Sequence, residues 1–321
     1  MAKNYYCLVA GLREYSLDGD VKGFDARGVI DEIDEELSKE DARALRGWML
    51  FHDVCNMVNI KSDREGFSTL GNFSREELVE QLERPSELPR ELAEVVELYA
   101  DVAGGEVDAD DERLERIDPS RAFSSELFAA YYRYCTKSKC RFLREWSEAD
   151  RNLRNITAAL AARAKGLSVA DWMVGEGEIV QQLSRSSAAD FGLKGEVGYI
   201  DTLIGALAEN DNLLDKEHRI DMIRWNISEE LSTFDYFNIG FLLSYIVRLG
   251  LVHRWARLDE KRGREMFERL TSSLGALWRS IGVSVSAIRL IAAAMLWHSS
   301  SLNDGLPSTS QYKPLPIECR T

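Results

Sequence analysis

The sequence predicts an all-α protein, an elongated bundle of several helical lobes. Three observations predict it. The six prolines stand at 85, 89, 119, 307, 314 and 316, so residues 120–306 contain none, and a long proline-free stretch leaves the i→i−4 ladder unbroken. Apolar residues recur at steps of three and four rather than two, the period of one helix face. Cap residues stand where those periods begin.

The first fifteen residues are the exception. NYYCLVAGL is rich in β-formers and stops at Gly11, which predicts a short strand or extended arm. Ile30, Ile33 and Leu37 then mark a short amphipathic helix. Ser38 is placed to cap the next, which continues through Ala42, Leu45, Met49, His52 and Met57. After the polar loop KSDREGFSTLGN, Ser74 and Glu77 form a capping box for a helix ending at Pro85. Pro89 opens another through Leu92, Val95, Val96 and Tyr99. The segment 104–119, GGEVDADDERLERIDP, has two glycines, dense acids and a closing proline. It divides the chain into an N-terminal lobe (1–103), an acidic linker (104–119), central and C-terminal lobes (120–298) and a flexible tail (299–321).

Beyond the linker, long helices fill 120–165. Trp146, Ala149, Leu153, Ile156 and Leu160 make an apolar stripe, flanked by Glu145, Asn152 and Arg163, with Arg151, Arg154, Asn155 and Lys165 pointing away. Gly166 is placed to end this helix in the αL conformation. Segments near 168–184 and 199–208 read as helical with glycine breaks, and helix resumes over 212–231. STFDYFNIGFLLSYIVRLGLV is apolar on nearly every face and predicts a buried helix. LDEKRGREMFERLTSSLGALW predicts one more, with Met266, Phe267, Leu270, Leu274 and Leu277 on one side. The region 281–297, interrupted by Arg289 and two serines, is too short and polar to span a bilayer.

Forty basic and fifty-four acidic side chains give 40 − 54 = −14, which opposes general affinity for nucleic acid or anionic lipid and suits a basic partner surface. Five cysteines without a CxxC pair, and an amino terminus without a long apolar core, predict a cytoplasmic protein with free thiols. DADDERLERIDP imitates a calcium loop but has Arg113 and Pro119 where glycine and glutamate belong, so it reads as a solvated linker. His52, His218, His253 and His298 lack zinc-ligand spacing. VGEGEI lacks the remainder of a phosphate loop and reads as a hinge, and there is no GxSxG elbow. Cationic neighbours of Cys135 and Cys140 are positioned to depress a thiol pKa, with no histidine base nearby. These readings predict no catalytic residue, cofactor or metal.

Two further features concern partners and packing. Arg133, Lys137, Lys139, Arg141 and Arg144 form a basic run without an acid, either a solvated face or a docking patch for an acidic partner. Asn56-Met57-Val58-Asn59-Ile60 echoes Asn152-Leu153-Arg154-Asn155-Ile156, each preceded by an aspartate, Asp53 or Asp150, with a weaker echo at Asn210-Asp211-Asn212-Leu213. Such an echo predicts related helical lobes.

NYYCLVAGLREYSLD, TLGNFSREEL, FLREWSEADRNLRNITAALAARAKG and GFLLSYIVRLGLVHRWARLDEKRGREMFERL occur in this order. Together they resemble a Bacteroidetes-type bacterial family related to the socket component of V-type (A-type) ATP synthases, the one lettered C there and d in eukaryotes. The resemblance covers roughly residues 4–280 and stops before the C-terminal segment. It implies a funnel-like protein of three similar lobes and a non-catalytic, peripheral place on the cytoplasmic face of the membrane. There it would be a socket between the rotor ring and shaft subunits D and F, passing torque during proton or other ion transport. It also implies that Asn152 and Asn155 are structural. Two other classes stay open: a free-standing helical scaffold, and an enzyme assembled from scattered residues such as Asp235, His253 and Arg254.

Overall fold

The computed structural model describes residues 3–19, 24–108, 110–208 and 212–257. The helix predicted over 258–278, the apolar region 281–297 and the tail 299–321 lie outside them, as do His298, Cys319 and the start of the third asparagine echo. The fold is all-helical, with eleven α-helices and two one-turn 3-10 helices among the described residues.

The predicted N-terminal strand is instead a short helix, α1 (Tyr6–Gly11). A lone strand would leave its ladder groups unpaired, whereas one helical turn closes several internally. Tyr5 anchors it: its ring is buried, its N–H donates to Phe237 O at 2.6 Å, and its hydroxyl donates to Asp41. The next four helices follow the sequence reading. Asp25 caps α2 (Ala26–Glu36), which buries Ala26, Ile30 and Ile33. Ser38 Oγ accepts from Asp41 N at the start of α3 (Lys39–Lys61). Ser74 and Glu77 close a reciprocal capping box on α4 (Arg75–Glu83). Pro89 precedes α5 (Arg90–Gly104), which Gly105 ends in αL at φ 72°.

The acidic segment then joins α5 to α6 (Phe123–Thr136), and these two helices pack on each other. Ile117 of this segment is buried, and Arg113 ties Asp101 to Asp111, each at 2.6 Å.

The centre of the molecule is α7 (Arg141–Ala164), 24 residues or about 36 Å long. Leu153 and Ile156 of its stripe are fully enclosed. Its end is a Schellman motif: Leu167 N–H donates to Ala162 O at 2.9 Å and Gly166 N–H to Arg163 O at 3.0 Å, with Gly166 at φ 67°. The sequence reading fails on its far side, because Asn155, expected to face outward, is buried. The reason is that α7 is covered from several directions. It packs on α3, α6, α8 (Glu178–Arg185), α10 (Leu213–Leu231) and α11 (Ile239–Ala256), while α9 (Ile200–Ala208) lies against α10.

The predicted buried helix is α11, but burial begins only at its first turn. The preceding turn, Ser232–Asn238, leaves Phe234 and Tyr236 in solvent. A continuous apolar cluster runs from α2–α5 through α6 and α7 to α9–α11. None of the helices among the described residues is long and apolar enough to cross a membrane.

Leu153→Ala at the buried centre of α7 is expected to lower the unfolding free energy by about 2–5 kcal/mol. Gly166→Ala is expected to cost about 1–2 kcal/mol through its left-handed backbone. Urea titration of both variants against the parent measures each effect.

Candidate functional site

Two features stand out in this frame: a chain of charges buried between helices, and a groove at one end of the bundle.

The buried chain starts on α7. Asp150 accepts from Arg154 Nε at 2.6 Å and from Arg224 Nε of α10 at 3.2 Å. Arg224 reaches Asp221 on its own helix at 2.7 Å, Asp221 receives Arg254 of α11 at 2.8 Å, and Arg254 ends on Glu217 at 2.7 Å. Trp255 Nε1 donates to Asp221 at 2.8 Å, Tyr132 of α6 donates to Asp150 at 3.1 Å, and Arg154 lies over the ring of Phe51 on α3. Three carboxylates thus meet three guanidinium groups, so the set is neutral as well as buried, the condition under which charges are tolerated in a core.

Burial pushes the Asp150 and Asp221 carboxyls up, but the guanidinium groups beside each prevail and hold both below the usual carboxylate range. Both are ionised at neutral pH with their lone pairs occupied, so the cluster works as a clasp across α7, α10 and α11 rather than as an acid–base pair. Sequence reasoning missed it because its longest link joins residues 74 apart. The local signals were the i,i+4 pair Asp150/Arg154 and the i,i+3 pair Asp221/Arg224.

The asparagine motif is structural in both copies, in a register different from the sequence echo. Asn56 donates from Nδ2 to Ser68 O at 2.9 Å and accepts from Ser68 N at 2.7 Å. Asn155 makes the same reciprocal pair with Val174, both bonds at 2.9 Å. By role, Asn56 therefore matches Asn155 and not Asn152, because these are the amides that meet the loop returning over their helix. Asn59 makes a longer bond to Gly66 O, 3.4 Å, and Asn152 accepts from Arg151 at 3.4 Å. Beside Asn56, Asp53 accepts from Asn72 N, Asn72 Nδ2 and Phe73 N, although burial still pushes its carboxyl up to about 6. This explains TLGNF: a methyl group on Gly71 would collide with Asp53 Oδ1.

The groove holds about 660 Å³ between the start of α3, Glu91 of α5, the α6–α7 turn and the α10–α11 turn. It gathers part of the basic run. Lys137, Lys139 and Arg141 line it, but Arg133 is half-buried outside it and Arg144 turns inward to Ser138 O at 2.6 Å. Nor is the run free of acids in space. Lys137 pairs with Glu91, and Arg141 pairs with Glu145 at 2.6 Å and Asp235 at 2.7 Å while also donating to Leu231 O.

Other expectations are corrected. Burial pushes the Cys135 thiol up to about 12 and also raises Cys140, where it outweighs Arg144. Asp235 lies in the turn before α11, where it accepts from Arg141 and from the N-cap Asn238, while His253 and Arg254 stand roughly 20 Å away along that helix, and Arg254 belongs to the clasp. These three residues do not converge. VGEGEI carries Gly175 and Gly177 at φ 72° and 139°, the turn that starts α8.

Arg224→Met is expected to cost about 3–5 kcal/mol in urea titrations by leaving the buried set one positive charge short and cutting the link between Asp150 and Asp221. Acid acts on further groups. Burial lowers His52 to about 3 and His253 to about 4, from an ordinary 6.5. Their stabilising effect is complete above pH 6.5 and is lost as pH falls toward those values. Unfolding free energy is therefore expected to decline below pH 6.5, and His52→Gln/His253→Gln to flatten that decline; an unchanged slope would assign it to other groups.

No curated protein and no solved structure matches the chain. A family model does match, over residues 1–276, which is most of the sequence. The chain belongs to that family, described as "Protein of unknown function (DUF2764)".

Proposed function

We propose that the protein is a non-catalytic coupling subunit of a V-type ATPase or ATP synthase, a socket that joins shaft subunits D and F to the membrane rotor ring. The observation that carries this reading is the repeated asparagine strap. A helix on each side of the acidic segment is tied to its following loop by one carboxamide, Asn56 to Ser68 and Asn155 to Val174. That supports the repeated-lobe construction implied by the resemblance, which rests on four segments across roughly residues 4–280. Two mechanical features favour it as well. The frame is cross-linked by a neutral buried ion chain, and a part that passes torque between partners has to resist shear between its helices. The two ends of α11 carry different things, the clasp near Arg254 and the groove near Ile239, so a load applied at the groove would reach the clasp along one rigid helix.

In this role no bond is made or broken by the protein. It works at the cytoplasmic face of the membrane as a peripheral component, and ion movement belongs to the ring it contacts.

The test is a pull-down of tagged protein from its native host in mild detergent, with mass spectrometry after a low-salt wash. V-type shaft and ring subunits are expected in stoichiometric amount. Recovery of the protein alone would contradict this role and favour a free-standing helical scaffold.

A further inference from the structure

We infer that a cavity between α6, α7 and the loop joining α7 to α8 is a binding site for a single small monovalent anion, a halide such as chloride, held by Arg151 and Arg154. The inference goes beyond the coupling reading and does not depend on it.

Size is the first observation. The cavity holds about 20 Å³, room for one water-sized species, which sets aside polyatomic ligands. Phe128 and Tyr132 of α6 and Trp172 of the loop wall it, with Arg151, Arg154 and Asn155 on α7. Two guanidinium groups line it and no carboxylate does.

Hydrogen bonding is the second. The Arg151 side chain is only 12% exposed, and its Nε is buried with no partner among the described residues. The contacts that Arg151 does make are long and use one terminal nitrogen, to Glu148 at 3.5 Å and to Asn152 Oδ1 at 3.4 Å. Arg154 gives its Nε to Asp150 at 2.6 Å, and its two terminal nitrogens make no hydrogen bond among the described residues. The Asn155 carboxamide is engaged with Val174 through both its nitrogen and its oxygen. A guanidinium only donates, and a buried donor left unmatched costs free energy. A water fills the same volume, but it brings two hydrogens into a place whose charged groups are all donors. A halide accepts from every one of them.

Charge is the third. The clasp is already balanced, with Asp150, Asp221 and Glu217 against Arg154, Arg224 and Arg254. Arg151 stands beside it as a fourth cation, and its one acidic contact, Glu148, is 64% exposed and so screened by water. One positive charge at the cavity is left to balance, which fits a monovalent anion. The VGEGEI turn gains a purpose from this arrangement. A methyl group on Gly177 would stand 3.3 Å from a terminal nitrogen of Arg151, and one on Gly175 would stand 3.4 Å from its Cδ. The two glycines, at φ 139° and 72°, let the loop lie directly on the arginine and hold its guanidinium in place. Glu176 between them makes no ion pair with it among the described residues.

The test uses the purified full chain in sodium chloride, with sodium gluconate keeping the ionic strength constant. Chloride NMR linewidths are expected to show an excess broadening by the parent that saturates and that bromide reverses. Arg151→Gln is expected to weaken chloride binding about tenfold or more, the effect of one charge-assisted hydrogen bond. Lys165→Gln, at the exposed end of α7, is expected to leave it unchanged. The melting temperature of the parent is expected to rise with chloride, and that of Arg151→Gln to rise less. Parent crystals soaked in bromide answer the same question without a variant, through an anomalous peak beside Arg151 and Arg154. Equal broadening by parent and Arg151→Gln, a melting temperature indifferent to the exchange of chloride for gluconate, or bromide found only elsewhere would each overturn the proposal and leave the cavity to an ordinary water. None of these readouts involves V-type subunits, so the coupling reading stands or falls separately.

Discussion

The structure depends on one constraint: three helices meet around charges that have to satisfy one another. Asp150, Arg154, Asp221, Arg224, Arg254 and Glu217 come from α7, α10 and α11, and removing any inner member would unbalance a buried set of three positive and three negative charges and break the link between its neighbours. Apolar packing tolerates sliding and repacking, whereas a chain of paired guanidinium and carboxylate groups fixes translation and rotation together. Around it, a smaller hydroxyl cluster fixes α10 against α11, with Ser244 contacting both Ser228 and Ser232 at 2.9 Å. The apolar stripe brings α7 into the core, and the polar groups set its register there.

The loops obey the same logic on a smaller scale. A loop that returns across a helix carries backbone groups that burial would strand, and Asn56 and Asn155 each satisfy one N–H and one C=O with a single side chain. Asp53 does comparable work for the Asn72–Phe73 turn, with Gly71 leaving room for it. Loops fixed in this way move with their helices, which suits the proposed mechanical role better than a mobile site would. The turn that carries Phe234 and Tyr236 in solvent is also held by polar ties, through Asp235, Arg141 and Tyr5.

Much of this was legible in the sequence because local physics governs it. Ser38, Ser74 with Glu77, Pro89 and Gly166 marked helix ends through side-chain caps, a missing N–H or a left-handed turn, and each effect acts within a few residues. Periodicity likewise exposed the Leu153–Ile156 stripe. It did not expose Asn155, because an amphipathic wheel assumes one buried face and α7 has neighbours on several. The strand expected near Tyr6 failed because β-propensity reports packing opportunities that this end of the chain lacks. The clasp and the groove were illegible for a different reason: Asp150 and Arg224, or Arg141 and Asp235, are 74 and 94 residues apart. Composition and spacing showed the basic run, but only the fold distinguishes the tied Arg141 from the outward Lys139.

Native-state hydrogen exchange in increasing urea tests the central claim, that α7, α10 and α11 form one body locked by the buried ion chain. The account predicts that buried amides of all three helices merge into a single opening with the free energy of global unfolding. Opening of α10 and α11 together at a distinctly lower free energy, with α7 still protected, would contradict it.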